Sequence, residues 1–252
     1  MPLLRFPVCP LLETVETGDP GVWDRCAIDR YAQALTVQIW AGETFLGSGI
    51  WWRSLPDDQG QILTNAHVVR WAEPPYRIVT VTGATSPAEF IGAGSEVRLN
   101  QGDLGGSSLD LALLQVPLPP PVLPTFPPSD PPWHPHGRTL TEPFPIFFSG
   151  WFPAETGGVQ WQTTQARLVY HLPQPLRGGA HWAYTGQVEK GQSGGPVLDS
   201  WGHLLGLNTI HAHPLFSLSH FYEDGTQPDR SVQPLIDRYN WLIPSDRLLP
   251  IP

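Results

Sequence analysis

The sequence predicts an all-β protein, and three observations support this fold class. The 252 residues include 30 prolines and 25 glycines, which disfavour long helices and favour turns. Short runs such as Leu35–Ile39 and Tyr76–Thr82 alternate apolar and polar residues with the period of β-strands. A proline-rich stretch, 117–137, divides the chain into halves of comparable size. The length is enough for one all-β domain or two small barrels.

The predicted elements follow in chain order. Residues 1–32 form an N-terminal extension with a short helix over Trp23–Tyr31, which Asp24 caps. The first half, 33–116, contains predicted strands at Leu35–Ile39, Phe45–Trp52, Ile62–Asn65, Tyr76–Thr82 and Leu109–Val116. After the linker at 117–137, the second half, 138–252, contains strands at Ile146–Gly150, Val159–Leu172 and Trp241–Pro244, a hairpin that turns at Asp199–Gly202, and a loop insertion near 211–240.

Charge and composition exclude several classes of partner. The net charge is −9, and nucleic-acid binding requires clustered Lys and Arg, so no nucleic-acid partner is expected. Neither a signal peptide of ordinary form nor an apolar stretch of membrane-spanning length is visible, so we expect a cytoplasmic location without membrane contact. The two cysteines, Cys9 and Cys26, allow either one disulfide or two free thiols.

Ser193 lies in the most informative stretch of the second half. It follows Gly191 and Gln192 and precedes Gly194 and Gly195. Glycines adopt backbone conformations that are closed to residues with a Cβ, and they let another group approach closely. Such a loop can direct the backbone N–H groups of Gly191 and Ser193 at one point and form an oxyanion hole. The alternative is a glycine-rich turn with a structural serine.

Two further residues belong to the types that activate a serine. His67 follows a predicted strand in the string Thr64–Val69, and Asp110 begins the apolar run Leu111–Val116. A carboxylate beside such a run costs free energy unless it is paired. Taken alone, each of these two residues is explained by a structural role. Together with Ser193 they supply the base, the orienting acid and the nucleophile of acyl transfer.

The chain resembles the trypsin/chymotrypsin-like serine peptidases, and most closely their bacterial trypsin-like and HtrA-type members. Four strings carry the resemblance: Gly47–Gly49, Thr64–Val69, Asp110–Leu114 and Gly191–Pro196. It covers roughly residues 33–245. The resemblance implies two antiparallel six-stranded β-barrels of the chymotrypsin type, with the active site between them and the linker crossing from one barrel to the other.

The resemblance also implies a role for each site residue. Ser193 would attack a peptide carbonyl, His67 would take and return the proton, and Asp110 would orient the imidazole. The N–H groups of Gly191 and Ser193 would bind the oxyanion. Thr209 resembles the hydroxyl residue that supports the aspartate. The expected activity is that of a serine endopeptidase that forms an acyl-enzyme and needs no cofactor.

Gln192 departs from the family pattern. The family usually has Asp or Asn at this position, and in trypsin-type zymogens the Asp pairs with a new N-terminus made by cleavage. Glutamine carries no charge for such a pair, and no Ile-Val-Gly-Gly-type start precedes Ala34. We therefore expect no activation of the trypsin-zymogen type.

The substrate pocket follows from the resemblance by position relative to Ser193. Its expected lining consists of Gln187, Val188, Thr209, Ile210 and His211. No acidic residue lies at the predicted base, which disfavours a preference for Arg or Lys. We expect a small or apolar residue before the scissile bond.

The sequence is also compatible with two other functions. A catalytically silent protein-binding module could use the same fold, and an esterase could use the same triad.

The loop insertion contains metal-ligating residue types, namely His211, His213, His220, Glu223 and Asp224. Their spacing matches no strong ligand pattern, so no metal is expected. We expect a protein or peptide substrate, a regulatory protein partner, and an insertion that covers the substrate cleft.

Overall fold

The computed structural model describes residues 24–56, 58–93, 109–117, 143–210 and 220–248. These residues form two closed antiparallel β-barrels of six strands each, which is the chymotrypsin-like double-barrel fold. The predicted fold class is therefore confirmed. Within the described ranges, every helix is too short or too polar to span a lipid bilayer.

The first barrel closes in the strand order β1-β2-β3-β6-β5-β4. Its strands are β1 Thr36–Ala41, β2 Thr44–Leu55, β3 Gln59–Thr64, β4 Tyr76–Val79, β5 Thr85–Ala93 and β6 Ala112–Val116. Between β3 and β4 lies a one-turn helix, α2, at Ala66–Val69. Apolar side chains from these strands fill the barrel, including the fully buried Ile39, Ile62 and Leu114.

The second barrel closes in the order β10-β11-β12-β9-β8-β7. Its strands are β7 Phe144–Pro153, β8 Val159–His171, β9 Trp182–Tyr184, β10 Pro196–Asp199, β11 Leu204–Ile210 and β12 Asn240–Pro244. The helix α3, Gln233–Arg238, precedes β12, and a 3-10 turn, Ser245–Arg247, follows it. Buried residues of this barrel, such as Phe147 and Ile243, join the apolar cluster of the first barrel, so the two barrels pack directly on one another.

The N-terminal helix α1, Arg25–Leu35, begins two residues after the predicted start and ends four residues beyond the predicted end. Asp24 is its N-cap and accepts a hydrogen bond from the N–H of Ala27 at 2.7 Å. The helix packs on β1 of the first barrel and on β7, β8 and β10 of the second. Asp29 accepts a hydrogen bond from the Trp161 indole of β8 at 2.9 Å. The helix therefore ties the two barrels together.

The structure differs from the sequence prediction at one strand, β1, and contains two elements that the sequence does not predict, β5 and α3. β1 is buried on both faces along Thr36–Ile39, although the alternating pattern predicts a half-buried strand. β5 is mostly exposed and contains Pro87, so its sequence has no alternating pattern from which to predict a strand. The helix α3 is six residues long, which is too short to show helical periodicity in the sequence. Cys26 is disulfide-bonded, and Cys9 lies outside the described residues.

His181 makes the stability of the second barrel sensitive to acid. Its ring lies 4.0 Å from the ring of His171, and Nε2 lies 3.0 Å from the Leu172 carbonyl. Burial, and then the charge of His171, lowers the pKa of His181 from 6.5 to about 4. A depressed histidine pKa means that the unfolded chain takes up the proton first as the pH falls. The contribution of His181 to stability is therefore fully present above pH 6.5 and is lost as the pH falls toward 4.

We expect His181→Gln to remove part of this pH dependence. The free energy of unfolding, measured by urea denaturation, should fall between about pH 6.5 and 4 by roughly 1–2 kcal/mol more in the native chain than in the variant, a figure reduced for partial exposure of the ring. Identical pH dependence in the two proteins would contradict this assignment.

Candidate active site

His67 is presented to solvent by the one-turn helix α2. The helix follows buried strand β3 directly, and its residues Ala66, Val68 and Val69 are buried against the first barrel. His67 therefore points outward, and 42% of its side chain is exposed. Asn65, at the N-cap, is fully buried and donates through Nδ2 to the carbonyl of Asp110 at 3.0 Å.

Asp110 lies just before β6 and receives three hydrogen bonds on its carboxylate. Oδ1 accepts from the backbone N–H of His67 at 2.9 Å, and Oδ2 lies 2.6 Å from Nδ1 of the same residue. The hydroxyl of Thr209, on β11 of the second barrel, donates to Oδ2 at 2.8 Å. An ionised carboxylate only accepts hydrogen bonds, so Nδ1 carries the proton and Nε2 is left as the basic nitrogen.

The serine loop sits between the two barrels. Its backbone is held by bonds from Gly194 N–H to the Asn208 carbonyl at 2.9 Å and from Ser48 N–H to the Ser193 carbonyl at 3.0 Å. A Cβ on Gly194 would lie 2.1 Å from the Ser48 carbonyl oxygen, so only glycine fits there. The close approach of two backbones explains this glycine.

Gly47 lies between the serine loop and the helix that carries His67. A Cβ on Gly47 would lie 3.1 Å from Cγ1 of Val68 and 3.4 Å from the Ser193 carbonyl oxygen. Among the described residues no hydrogen bond joins the Ser193 hydroxyl to His67. In free enzymes such bonds are often long and tighten when substrate binds. The structure thus brings the loop of Ser193 beside the helix of the His67–Asp110 pair.

The turn Glu189–Gln192, called here the oxyanion turn, precedes Ser193. The N–H of Gln192 donates to the Glu189 carbonyl at 3.1 Å, and Gly191, the third residue, has φ +111°. Positive φ at the third position is characteristic of a type II turn. In the described part of the chain, the N–H groups of Gly191 and Ser193 have no acceptor. Both donors are therefore free to bind a negative oxygen near the serine hydroxyl.

The predicted pocket residues lie in two groups. Gln187 is exposed and donates to a carboxylate oxygen of Glu189 at 2.8 Å, and Val188 packs on the core cluster of the second barrel. Thr209 and Ile210 end strand β11, where Thr209 contacts Asp110 and Ile210 packs toward the core. His211 lies outside the described residues.

Three further residues shape the site, and their roles cannot be read from the sequence. Asn65 bonds the Asp110 backbone, and Ser48 bonds the oxyanion turn. Asn240, buried on β12, donates to the Gly186 carbonyl at 2.8 Å and so holds the segment between β9 and the oxyanion turn. Ser48 and Asn65 stand inside recognised motifs, whereas Asn240 is far from the motifs along the chain.

The insertion that follows β11 is described from residue 220 onward. Tyr222 forms a β-bridge with Leu176, and Arg177 donates from its backbone to the Phe221 carbonyl at 2.8 Å. The loop that contains Leu176 and Arg177 also contacts Asp110, because the N–H of Asp110 donates to the Gly178 carbonyl at 2.9 Å. The described part of the insertion therefore packs on the loop that holds Asp110.

Solved serine proteases share this architecture. A serine endoprotease from Yersinia pestis matches with a TM-score of 0.55 and 20% identity, over 90% of this chain and 64% of that one. The inactive form of Rv3671c from M. tuberculosis H37Rv, solved as a serine-to-alanine mutant, matches with a TM-score of 0.54 and 19% identity, over 91% of this chain and 90% of that one. At these identities the likeness shows the fold alone.

The sequence itself places the chain in a family. No curated protein matches it significantly. Residues 47–207, more than half of the chain, match the trypsin-like peptidase domain, and this range contains His67, Asp110 and Ser193. The chain therefore belongs to the trypsin-like peptidase domain family.

Proposed function

We propose that the chain is a serine endopeptidase that hydrolyses peptide bonds through Ser193, His67 and Asp110. The observation that carries the proposal is the Asp110 carboxylate, which bonds both the backbone N–H and Nδ1 of His67 and is supported by Thr209. This arrangement orients an imidazole for general-base catalysis. Two features distinguish it from an aspartate–histidine pair that only shapes a turn: the third bond, from Thr209, and the position of the His67 helix beside the Ser193 loop.

Acylation begins when the Ser193 hydroxyl attacks the carbonyl carbon of the scissile bond. His67 Nε2 takes the hydroxyl proton as the new C–O bond forms, and Asp110 stabilises the imidazolium. The carbonyl oxygen becomes an oxyanion and accepts hydrogen bonds from the N–H groups of Gly191 and Ser193. The imidazolium then protonates the leaving amine, the C–N bond breaks, and an acyl-enzyme remains.

Deacylation repeats these steps with water as the nucleophile. His67 takes a proton from the water, the oxyanion forms again in the same place, and Ser193 leaves with its proton restored. Apart from the substrate and this water, every group that acts in the proposed cycle is a side chain or backbone amide of the chain.

Substrate preference is proposed from the described pocket residues. Gln187 is exposed and already pairs with Glu189, and Val188 presents an apolar side chain. Because neither residue offers a charge at the pocket base, we propose cleavage after small or apolar residues.

A regulatory protein partner and a cytoplasmic location remain predictions. The disulfide at Cys26 is unusual for a cytoplasmic protein and argues for testing the location directly.

Peptide-library cleavage read by mass spectrometry tests the proposal. We expect cuts after small or apolar residues from the native chain and none from Ser193→Ala. Ser200→Ala, in the turn between β10 and β11, is the matched control and should cleave as the native chain does. Turnover of an ester substrate without peptide cleavage would favour an esterase, and binding without turnover would favour a silent module.

A further inference from the structure

The oxyanion turn is closed by the side chain of Gln192. Gln192 is fully buried, and its Oε1 accepts a hydrogen bond from the Glu189 N–H at 2.8 Å. Its own N–H donates to the Glu189 carbonyl at 3.1 Å, so the first and last residues of the turn are joined twice. The Gln192 carbonyl in turn accepts from Gly195 N–H at 3.0 Å, which fixes the peptide that carries the Ser193 N–H.

Ser48, from the first barrel, anchors the same turn from the other side. Its buried hydroxyl donates to the Gly191 carbonyl at 2.9 Å and accepts from the Trp151 N–H at 2.9 Å. Its backbone N–H donates to the Ser193 carbonyl at 3.0 Å. Ser48 therefore joins both ends of the oxyanion hole to the first barrel and to β7.

One peptide of the oxyanion turn, Lys190–Gly191, makes no hydrogen bond of its own among the described residues. The Gly191–Gln192 peptide is bonded at its carbonyl by Ser48 and at its N–H by Glu189. The Lys190–Gly191 peptide, which carries the Gly191 N–H, has no such bond within the described residues, and its orientation follows from its neighbours. In a type I turn this peptide is rotated by about 180°, which would point the N–H away from the oxyanion.

We propose that Ser48 and Gln192 are positioning residues that hold the Gly191 N–H toward the oxyanion through uncharged hydrogen bonds alone. This inference rests on the proposed peptidase function, because it concerns the same site. The acceptor role accounts for the Gln192 amide oxygen, which needs no ammonium partner, whereas the amide nitrogen is buried without a hydrogen-bond partner among the described residues.

Three single variants test the kinetic consequence. Ser48→Ala removes the bond to Gly191, and Gln192→Met removes the acceptor with little change in side-chain length. Because the oxyanion exists only beyond the ground state, we expect kcat to fall by about tenfold in each while KM stays within about twofold. The control is Ser149→Ala, a fully buried serine whose hydroxyl bonds Thr163 at 2.9 Å and which should retain native kcat.

Hydrogen exchange supplies a readout that does not depend on activity. The N–H groups of Gln192 and Gly195 are hydrogen-bonded, so their exchange should become about tenfold faster in Ser48→Ala and stay native in Ser149→Ala. Ser48→Thr, which keeps a hydroxyl, should recover both slow exchange and most of the lost kcat.

Two patterns would overturn the inference. One is unchanged kcat and unchanged exchange at 187–195 in Ser48→Ala. The other is a loss of kcat in Ser149→Ala as large as that in Ser48→Ala, which would mean that any buried hydroxyl matters equally. If the native chain does not cleave peptides while Ser48→Ala still speeds exchange at the oxyanion turn, the peptidase proposal fails and the positioning roles stand as structural facts.

Discussion

Asp110→Asn is expected to lower kcat/KM by about 10⁴-fold. The carboxylate holds His67 through two bonds, at 2.9 Å to the backbone N–H and at 2.6 Å to Nδ1. An asparagine that keeps the bond from the His67 N–H with its oxygen puts its NH₂ group at the Oδ2 position, opposite Nδ1. This arrangement favours the wrong imidazole tautomer and leaves Nε2 protonated. Steady-state kinetics on a peptide cleaved by the native chain would measure this loss. A decrease of less than about tenfold would contradict the role given to Asp110.

A second aspartate–histidine pair provides a matched control. Asp199, fully buried between β10 and β11, lies 2.9 Å from Nδ1 of His203 and accepts from the N–H groups of Trp201 and His203. The bonding resembles that of Asp110 and His67, but this pair shapes a hairpin turn. Asp199→Asn should lower the thermal midpoint and leave kcat near the native value.

Gly191→Ala is expected to lower kcat by at least about 100-fold. The substitution forces a side chain onto a residue with φ +111°, and its Cβ would lie 2.6 Å from Cε1 of Phe45 and 3.0 Å from the Trp151 carbonyl oxygen. The oxyanion turn must shift to relieve these contacts, and the Gly191 N–H then leaves its place. Removal of one oxyanion donor costs about this factor. Stopped-flow acylation rates would report the change directly.

Gly157→Ala separates backbone strain from the loss of the oxyanion donor. Gly157 lies in the turn between β7 and β8 with φ +89°, and a Cβ there would meet nothing within 4 Å. We expect a loss of roughly 1–2 kcal/mol in unfolding free energy and native kcat. If Gly157→Ala reduced catalysis as strongly as Gly191→Ala, the steric account of the oxyanion turn would be wrong.

The sequence predicted the parts of the fold that depend on local chemistry. Alternating strands such as β8, the helix capped by Asp24 and the hairpin turn at Asp199–Gly202 follow from short-range patterns, and the structure contains each of them. β5 could not be predicted, because Phe90 and Ile91 are about half exposed and the register shifts between Phe90 and Gly92. A strand without a buried, alternating face carries no periodic pattern to detect.

The candidate site also combines residues that local motifs predict with a contact that only the packing of the barrels creates. The positions of His67, Asp110 and Ser193 follow from motifs, and the bond from Thr209 to Asp110 agrees with the support expected from the resemblance. The bond from Ser48 to Gly191 joins residues 143 positions apart, and only the packing of the two barrels brings them together. Composition and spacing hold no information about such a contact.

Fluorophosphonate labelling, read by intact mass, tests the central claim most directly. The probe forms a covalent bond only with a serine whose base and oxyanion donors are in place. The account predicts one adduct on the native chain, mapped by peptide digestion to Ser193, no adduct on Ser193→Ala, and an adduct at the native rate on Ser200→Ala. An unlabelled native chain, or an adduct on any other serine, would contradict the assignment of Ser193, His67 and Asp110 as a working triad.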